Sequence, residues 1–274
     1  MLSEQWRAIQ REAQLSAEQI GYGVTLLGRA NHTQIGLYLQ AFFGLSIGLE
    51  RMGKLIFIAD HAITHGGCFP NDMNLRQIGH DLSKLLTKCE IISNNCGEYH
   101  HYKDRPVDNI HREIETIISL FATTYRYYNL NYIAGSGKNQ EDPISLWWDK
   151  VVLLICKRHY SKHQQDIDAN YGNVLEHILG NNSVIMHTSE EGNPINDWQA
   201  LMARRGASRV AQKYGRLYTL QIVRWLSSII SELSFRGAYE HKIEALLGLN
   251  EPFSIFLNED KYLRERKTWS IYRK

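Results

Sequence analysis

The sequence has little of what marks membrane or secreted proteins. No run reaches the roughly 18 apolar residues of a membrane span, because the best candidate, Ile35–Met52, is interrupted by Gln40, Glu50 and Arg51. The four cysteines form no close Cys-x-x-Cys pair, which indicates reduced thiols rather than a disulfide framework. The amino terminus carries charge where a signal peptide needs an apolar core, so we expect a soluble, cytoplasmic protein without membrane partners.

Proline and net charge are also scarce. Five prolines in 274 residues leave long proline-free runs, which favour long helices. A net charge of +2 is too small to mark a nucleic-acid binder by itself. Hydrophobic residues make up 43% of the chain and charged residues 22%. That composition excludes a disordered tail, a coiled-coil rod and a collagen-like fibre.

Apolar residues recur at helical spacing through most of the chain, which predicts an all-α protein. The segment Thr33–His65 is apolar on nearly its whole circumference, as in a buried central helix, and Gly66-Gly67 end it. A first helical segment precedes it. Further helices are predicted over about 75–93, 106–133, 143–163 and 197–240.

The clearest linker, 135–143, divides the chain into two predicted regions. Residues 1–134 are expected to form a helical bundle. Residues 143–274 are expected to form a helical C-terminal region with a basic helix. Near its end two short β-like runs, 253–257 and 269–272, are candidates for a small β-hairpin.

Two polar pairs interrupt the apolar helices. Glu50 and Lys54 stand one helical turn apart, either as a structural pair or as the lining of a polar cleft. In Gly79-His80-Asp81, the imidazole beside a carboxylate suits proton transfer, whereas Asp81 alone suits a helix cap. Both interpretations of each pair stay open.

The segment Arg126-Tyr127-Tyr128 is basic and aromatic at the end of an apolar helix. Arginine with stacked tyrosines can hold a phosphate and a base, although aromatic side chains at a helix end more often complete a core.

A zinc site is a weaker hypothesis. His61, His65 and Cys68 are spaced by four and then three residues, which could bring three ligands to one helix end. Cys96, together with His100 or His101, could complete a tetrahedral zinc site.

A stretch of the long C-terminal helix holds six cations and no acidic residue between Trp198 and Ser231. Four of these cations step by four, four and three residues and share one helix face: Arg205, Arg209, Lys213 and Arg216. Such a stripe is often only the solvated side of a helix. It also predicts an anionic partner, for which RNA is the first candidate.

The order of these segments resembles the HEPN superfamily (higher eukaryote and prokaryote nucleotide-binding), over about residues 16–133. The resemblance is carried by Leu49-Glu50-Arg51-Met52-Gly53-Lys54, by Gly79-His80-Asp81-Leu82 with Leu85-Leu86, and by Arg126-Tyr127-Tyr128. It is closest to the abortive-infection type of bacterial member. The resemblance implies a four- to five-helix bundle, often dimeric, found in toxins and antiviral defence proteins.

Many members of that superfamily are metal-independent ribonucleases, and their signature is an Arg and a following His with four to six residues between them. Here the expected arginine is Arg126, but Asn131, Tyr132 and Ile133 occupy the positions of the histidine. The same spacing occurs elsewhere in the chain at about the frequency expected by chance. Its best instance is Arg158 with His163.

Two functional hypotheses follow, neither with a cofactor. In the first, the protein binds or cleaves RNA in a defence or toxin–antitoxin setting, as a metal-independent endoribonuclease if it is an enzyme. Its groove would then be lined by one of two sets: Arg126, His80 and Asp81, or Arg158 and His163. In the second, a non-catalytic homodimer binds a nucleotide or a protein partner and passes on a signal. A zinc-dependent enzyme is a third and weaker hypothesis.

Overall fold

A computed structural model describes residues 2–96, 101–136, 141–180 and 182–271. These residues form an all-α fold with one two-stranded antiparallel sheet, as the sequence predicts. The helices of the first half are α1 Glu4–Leu27, α2 Gly36–Thr64, α3 Asp72–Ile78, α4 Leu82–Asn95, α5 Asn109–Thr123 and α6 Tyr128–Ile133. Those of the second half are α7 Pro143–Leu146, α8 Leu153–His159, α9 Lys162–Leu179, α10 Trp198–Phe235 and α11 Asp260–Glu265.

Helices α1 and α2 pack closely because glycines line their contact. A Cβ atom at Gly44 of α2 would lie 2.9 Å from the carbonyl oxygen of Gln19 and 3.2 Å from the Cα atom of Gly23, both on α1. Only a residue without a side chain allows two helix backbones to approach this closely. The apolar circumference of α2 is thereby buried against α1 on one side and against α4, α5 and α10 on others.

One hydrophobic core includes residues of both predicted regions. The Phe42 ring packs against that of Phe121 in the first half, and lies 5.4 Å from that of Trp147 in the second. Helix α10, 38 residues long, contacts α1, α2, α4 and α5 as well as its neighbours in the second half. None of the described helices is both long and apolar enough to cross a lipid bilayer.

Three of the predicted helices are each broken in the structure. The predicted helix 106–133 stops at Thr123, and a 3₁₀ turn and the short α6 follow. The predicted helix 75–93 is divided at Gly79, whose φ of 68° ends α3 before Asp81 begins α4. The predicted helix 143–163 contains a π-helical turn at Trp147–Val152 and ends at His159. Ser161 then starts α9 with a capping box, so the chain turns where continuous periodicity predicted one helix.

The small hairpin of the C-terminal region is formed by residues other than those predicted. Strands β1 His187–Thr188 and β2 Pro194–Ile195 pair antiparallel, with His187 opposite Ile195. The pairing of 253–257 with 269–272 is wrong, because Glu251–Phe256 is a 3₁₀ helix and Trp269–Ile271 is not a strand. Residue 272 lies outside the described residues. The β-like hydrophobicity of both runs instead reflects core packing, in which the rings of Phe256 and Trp269 stack 5.8 Å apart.

The four cysteines differ in burial, which gives a direct test of this fold. Burial raises the pKa of the Cys89 thiol to about 12, and those of Cys96 and Cys156 to about 11, whereas Cys68 is exposed. Since the thiolate is the reactive form, we expect iodoacetamide at about pH 8 to modify Cys68 first in the native protein. Mass spectrometry of the alkylated peptides checks the order. Equal modification of Cys68 and Cys89 before unfolding would contradict the fold.

Candidate nucleic-acid interface

A groove runs beside α10 and is made of two adjoining hollows that share Arg209 and Gln212. We call it the α10 groove. Residues of the α1–α2 loop, of the β-hairpin and of α10 line its first hollow, of about 450 Å³. The end of α1, α10, and α11 with the residues after it line its second hollow, of about 370 Å³. The groove therefore joins segments from both halves of the chain.

The first hollow contains buried polar atoms without partners. His32 is 7% exposed, and neither of its ring nitrogens has a hydrogen-bond partner among the described residues. The buried hydroxyl of Ser208 is also unpartnered there. Arg205 and Arg209 line the same hollow, and the ring of His187 meets that of His32 edge to face at 5.5 Å. Such atoms usually find a ligand, an ordered water or another polar group.

The second hollow is strongly basic. Its lining includes one carboxylate, Glu265, and five cations: Arg209, Lys213, Arg216, Arg264 and Lys267. Arg264 lies 3.8 Å from Glu265, and its buried Nε atom has no partner among the described residues. Among the described residues Lys213, Arg216 and Lys267 form no ion pair, whereas Arg209 pairs with Asp168, which does not line the hollow.

Arg216 is the most unusual of these cations because it is a buried charge without a carboxylate. It is 4% exposed, and among the described residues it forms no ion pair. Its Nη2 donates to the carbonyl oxygen of Arg264 at 2.8 Å, while its Nε is unpartnered. A Cβ atom at Gly28 would collide with its guanidinium, so glycine makes the space for it. Burial lowers the pKa of Arg216, since desolvation disfavours the charged form.

Three of the six cations in the basic stretch of α10 are in ion pairs. Arg204 pairs with Glu190 at 2.7 Å and with Glu191, Arg209 with Asp168 at 2.9 Å and Arg224 with Asp260 at 2.8 Å. The spacing in the sequence placed Arg216 on a solvated helix face, but in the structure this residue is buried. Arg205 and Lys213 stay exposed and line the groove, as does Arg209.

Arg126 lines a different hollow, of about 420 Å³, together with Tyr125, Tyr127 and Tyr128. None of the aromatic residues of this segment is buried, so they do not complete the core. The Arg126 guanidinium lies 5.1 Å from the centre of the Phe43 ring, and its Nε is buried without a partner among the described residues. The segment is therefore partly exposed to solvent, and the Arg126 guanidinium packs over the Phe43 ring.

Glu50 connects the two polar pairs that were singled out in the sequence, because it contacts both Lys54 and His80. Its Oε1 atom lies 2.6 Å from Lys54 Nζ and 2.9 Å from His80 Nδ1. Burial raises the pKa of Glu50, but hydrogen bonds from Lys54 and His80 outweigh that effect and lower it overall. The three residues form a partly buried network, and none of them lines the α10 groove.

Asp81 caps α4 by accepting a hydrogen bond from Lys84 N at 3.1 Å, which confirms the capping interpretation. We expect Asp81→Ala to lower the free energy of unfolding by about 1 kcal/mol, because an α4 N–H group loses its acceptor. Asp81→Asn, which keeps an acceptor, is the matched control and should cost much less. Urea denaturation measures both; equal losses in the two variants would contradict a capping role.

Arg158 and His163 lie on different helices, because α8 ends at His159 and α9 begins at Lys162. Arg158 Nη1 instead donates to Asp108 Oδ2 at 2.8 Å and to the Tyr218 hydroxyl at 3.0 Å. The same hydroxyl lies 2.9 Å from His159 Nε2. His163 is exposed on α9. Arg158 and His159 therefore both contact the Tyr218 hydroxyl.

The proposed zinc ligands do not converge. The rings of His61 and His65 stack 3.8 Å apart, and His65 Nδ1 lies 2.9 Å from both the Thr64 hydroxyl and the His61 carbonyl oxygen. Gly66 and Gly67, both with positive φ, then turn the chain before Cys68. No group of three or more metal-binding side chains forms within the described ranges. His100 lies outside them.

Several residues of the α10 groove were not candidates from the sequence. His32 and Ser208 have no motif around them, and Arg264 and Lys267 lie about 50 residues after the basic stripe in a segment of mixed charge. One signal was present: Gly28-Arg29-Ala30-Asn31-His32 interrupts two long apolar helices. Only the fold brings this loop to α10.

No protein-family model, curated protein or solved structure matches the chain.

Proposed function

We propose that the protein binds single-stranded RNA in the α10 groove, with the phosphate groups on its cations. One observation carries the proposal: Arg216 is a buried guanidinium that lacks a carboxylate partner among the described residues. A buried charge is costly unless an opposite charge compensates it. A phosphate in the second hollow would supply the negative charge that Arg216 lacks.

The length of the groove favours a chain of phosphates over a single anion. Arg205 and Arg216 are eleven residues apart on α10, which corresponds to about 16 Å along the helix axis. Lys213 and Lys267 line the groove with them and are exposed. A polyanion could contact this whole row of cations, whereas one phosphate would occupy one hollow.

The test is the binding of a short unstructured RNA, measured by fluorescence anisotropy in EDTA at several salt concentrations. We expect log affinity to fall linearly with log salt, by about 0.7 for each neutralised phosphate. In the triple variant Arg205→Ala/Lys213→Ala/Lys267→Ala the slope should become shallower by about 2. Affinity at low salt should fall with it.

The matched control removes three exposed cations from α1 and α3, which do not line the groove: Arg7→Ala/Arg11→Ala/Arg76→Ala. Both triple variants lose the same net charge. The proposal requires that the control keep the salt slope of the wild-type protein. Equal losses in the two variants, or no binding by the wild-type protein at about 50 mM salt, would overturn it.

The finer predictions concern cleavage, family and assembly. Gel analysis of the same RNA after incubation in EDTA tests metal-independent cleavage, and Arg126→Ala and Arg158→Ala test which arginine such cleavage needs. Light scattering tests the homodimer. Membership of the HEPN superfamily, a cytoplasmic location, a defence-system partner and the alternative signalling role stay predictions.

A further inference from the structure

The first hollow of the α10 groove differs from the second in the kind of partner its buried atoms need. His32 is more than nine-tenths buried, and both of its ring nitrogens are unpartnered among the described residues. The Ser208 hydroxyl, on α10, is buried and unpartnered in the same hollow. Leaving such groups unsatisfied is costly, so a ligand that hydrogen-bonds these side chains would be favoured.

The protonation state of His32 narrows the chemistry of that ligand. Four charged or titratable groups act on its imidazole: Glu190, His187, Arg204 and Arg205. Burial lowers the pKa of His32 more than Glu190 raises it, and the other three groups also lower it. At neutral pH the ring is therefore uncharged, with one nitrogen that donates and one that accepts.

A ligand that both donates and accepts suits these two side chains. A phosphate diester has no proton to donate and could not satisfy the accepting nitrogen of His32, whereas a hydroxyl group does both. Arg205 and Arg209 line the same hollow and offer cations for an anion beside that hydroxyl. In RNA the ribose 2′-hydroxyl lies next to the 3′-phosphate, and it is the group that distinguishes RNA from DNA.

We propose that the first hollow is a ribose-binding subsite, in which His32 and Ser208 hydrogen-bond a 2′-hydroxyl while Arg205 and Arg209 hold the adjacent phosphate. This proposal rests on RNA binding in the α10 groove and adds selectivity to it. Two hydrogen bonds made with RNA and lost with DNA favour RNA by about tenfold or more. The phosphate contacts are common to both nucleic acids, so their salt dependence does not change with the sugar.

The experiment compares matched RNA and DNA strands of one sequence on wild-type protein, Ser208→Ala and His32→Ala. We expect the wild-type protein to bind RNA about tenfold more tightly. Each variant should lower the affinity for RNA toward that for DNA and leave the affinity for DNA unchanged. Ser208→Ala removes one oxygen atom, so it keeps the test informative if His32→Ala fails to fold. Lys157→Ala, on the exposed side of α8, is a control that should change neither affinity.

The possible results separate this proposal from the proposed function. Equal binding of RNA and DNA by the wild-type protein would overturn the ribose subsite and leave binding in the groove intact. A preference for RNA that persists in both variants would overturn the role of His32 and Ser208, and an ordered water would then satisfy them. If neither strand binds, the proposed function and the subsite fail together.

Discussion

Glu190→Ala is expected to lower the free energy of unfolding by about 1–3 kcal/mol, since Tyr38 and Arg204 lose a buried acceptor while Arg204 keeps Glu191 as a second carboxylate partner. The Glu190 side chain is fully buried, and its Oε2 accepts from Arg204 Nε at 2.7 Å. The Tyr38 hydroxyl donates to its Oε1 at 3.2 Å. Arg204 in turn lies over the Trp148 ring, 3.3 Å from its centre.

This network connects the β-hairpin to α10, to α2 and to the π-helical turn, so its loss affects the groove as well as stability. Burial raises the pKa of the Tyr38 hydroxyl, and the charge of Glu190 raises it further. Chemical denaturation followed by circular dichroism measures the loss. Glu240→Ala is the control, because its ion pair with Arg236 is half-exposed and should contribute less than about 1 kcal/mol. Similar losses in both variants would contradict a structural role for the buried pair.

Arg216→Met is expected to change stability and binding in opposite directions. Methionine is unbranched like the arginine stem and carries no charge, so the variant removes a buried cation that has no carboxylate partner among the described residues. We expect the free energy of unfolding to rise by about 1–2 kcal/mol, because the desolvation cost disappears. Loss of the hydrogen bond to the Arg264 carbonyl offsets part of that gain. The affinity for RNA should fall about tenfold or more, because a charge-assisted contact is lost.

Arg209→Met is the matched comparison, since Arg209 also lines the groove but is exposed and paired with Asp168. Its substitution should weaken RNA binding without stabilising the protein. Thermal unfolding and anisotropy on both variants separate the two effects. A destabilised Arg216→Met protein with unchanged RNA affinity would show that Arg216 serves the fold and not a ligand.

The long helices were predictable because each buries one stripe or its whole circumference over many residues. Helix α2 is an example, and its end at Gly66-Gly67 was predicted from glycine alone. The break at Tyr160–Ser161 was not predicted, because apolar periodicity on either side of a two-residue turn looks continuous. The β-hairpin at 187–195 was missed because strands of two residues have no alternation to detect.

Only the α10 side of the candidate groove could be predicted from the sequence. The spacing of Arg205, Arg209 and Lys213 places them on one face of α10, and the structure leaves all three exposed. Spacing could not show that Arg216 is buried, since that depends on the absence of a side chain at Gly28, nearly 190 residues away in sequence. His32 likewise becomes a groove residue only when the α1–α2 loop meets α10.

The most direct test of RNA binding in the α10 groove is photo-crosslinking with RNA that carries 4-thiouridine, followed by mass spectrometry of the attached peptides. We expect crosslinks in three segments that meet only in the fold: residues 28–33, 201–216 and 264–267. Substituting Arg205, Lys213 and Lys267 by alanine should remove them. Crosslinks confined to the Arg126 hollow, or to the Glu50–His80 network, would contradict RNA binding in the α10 groove. They would place the RNA site in the N-terminal bundle.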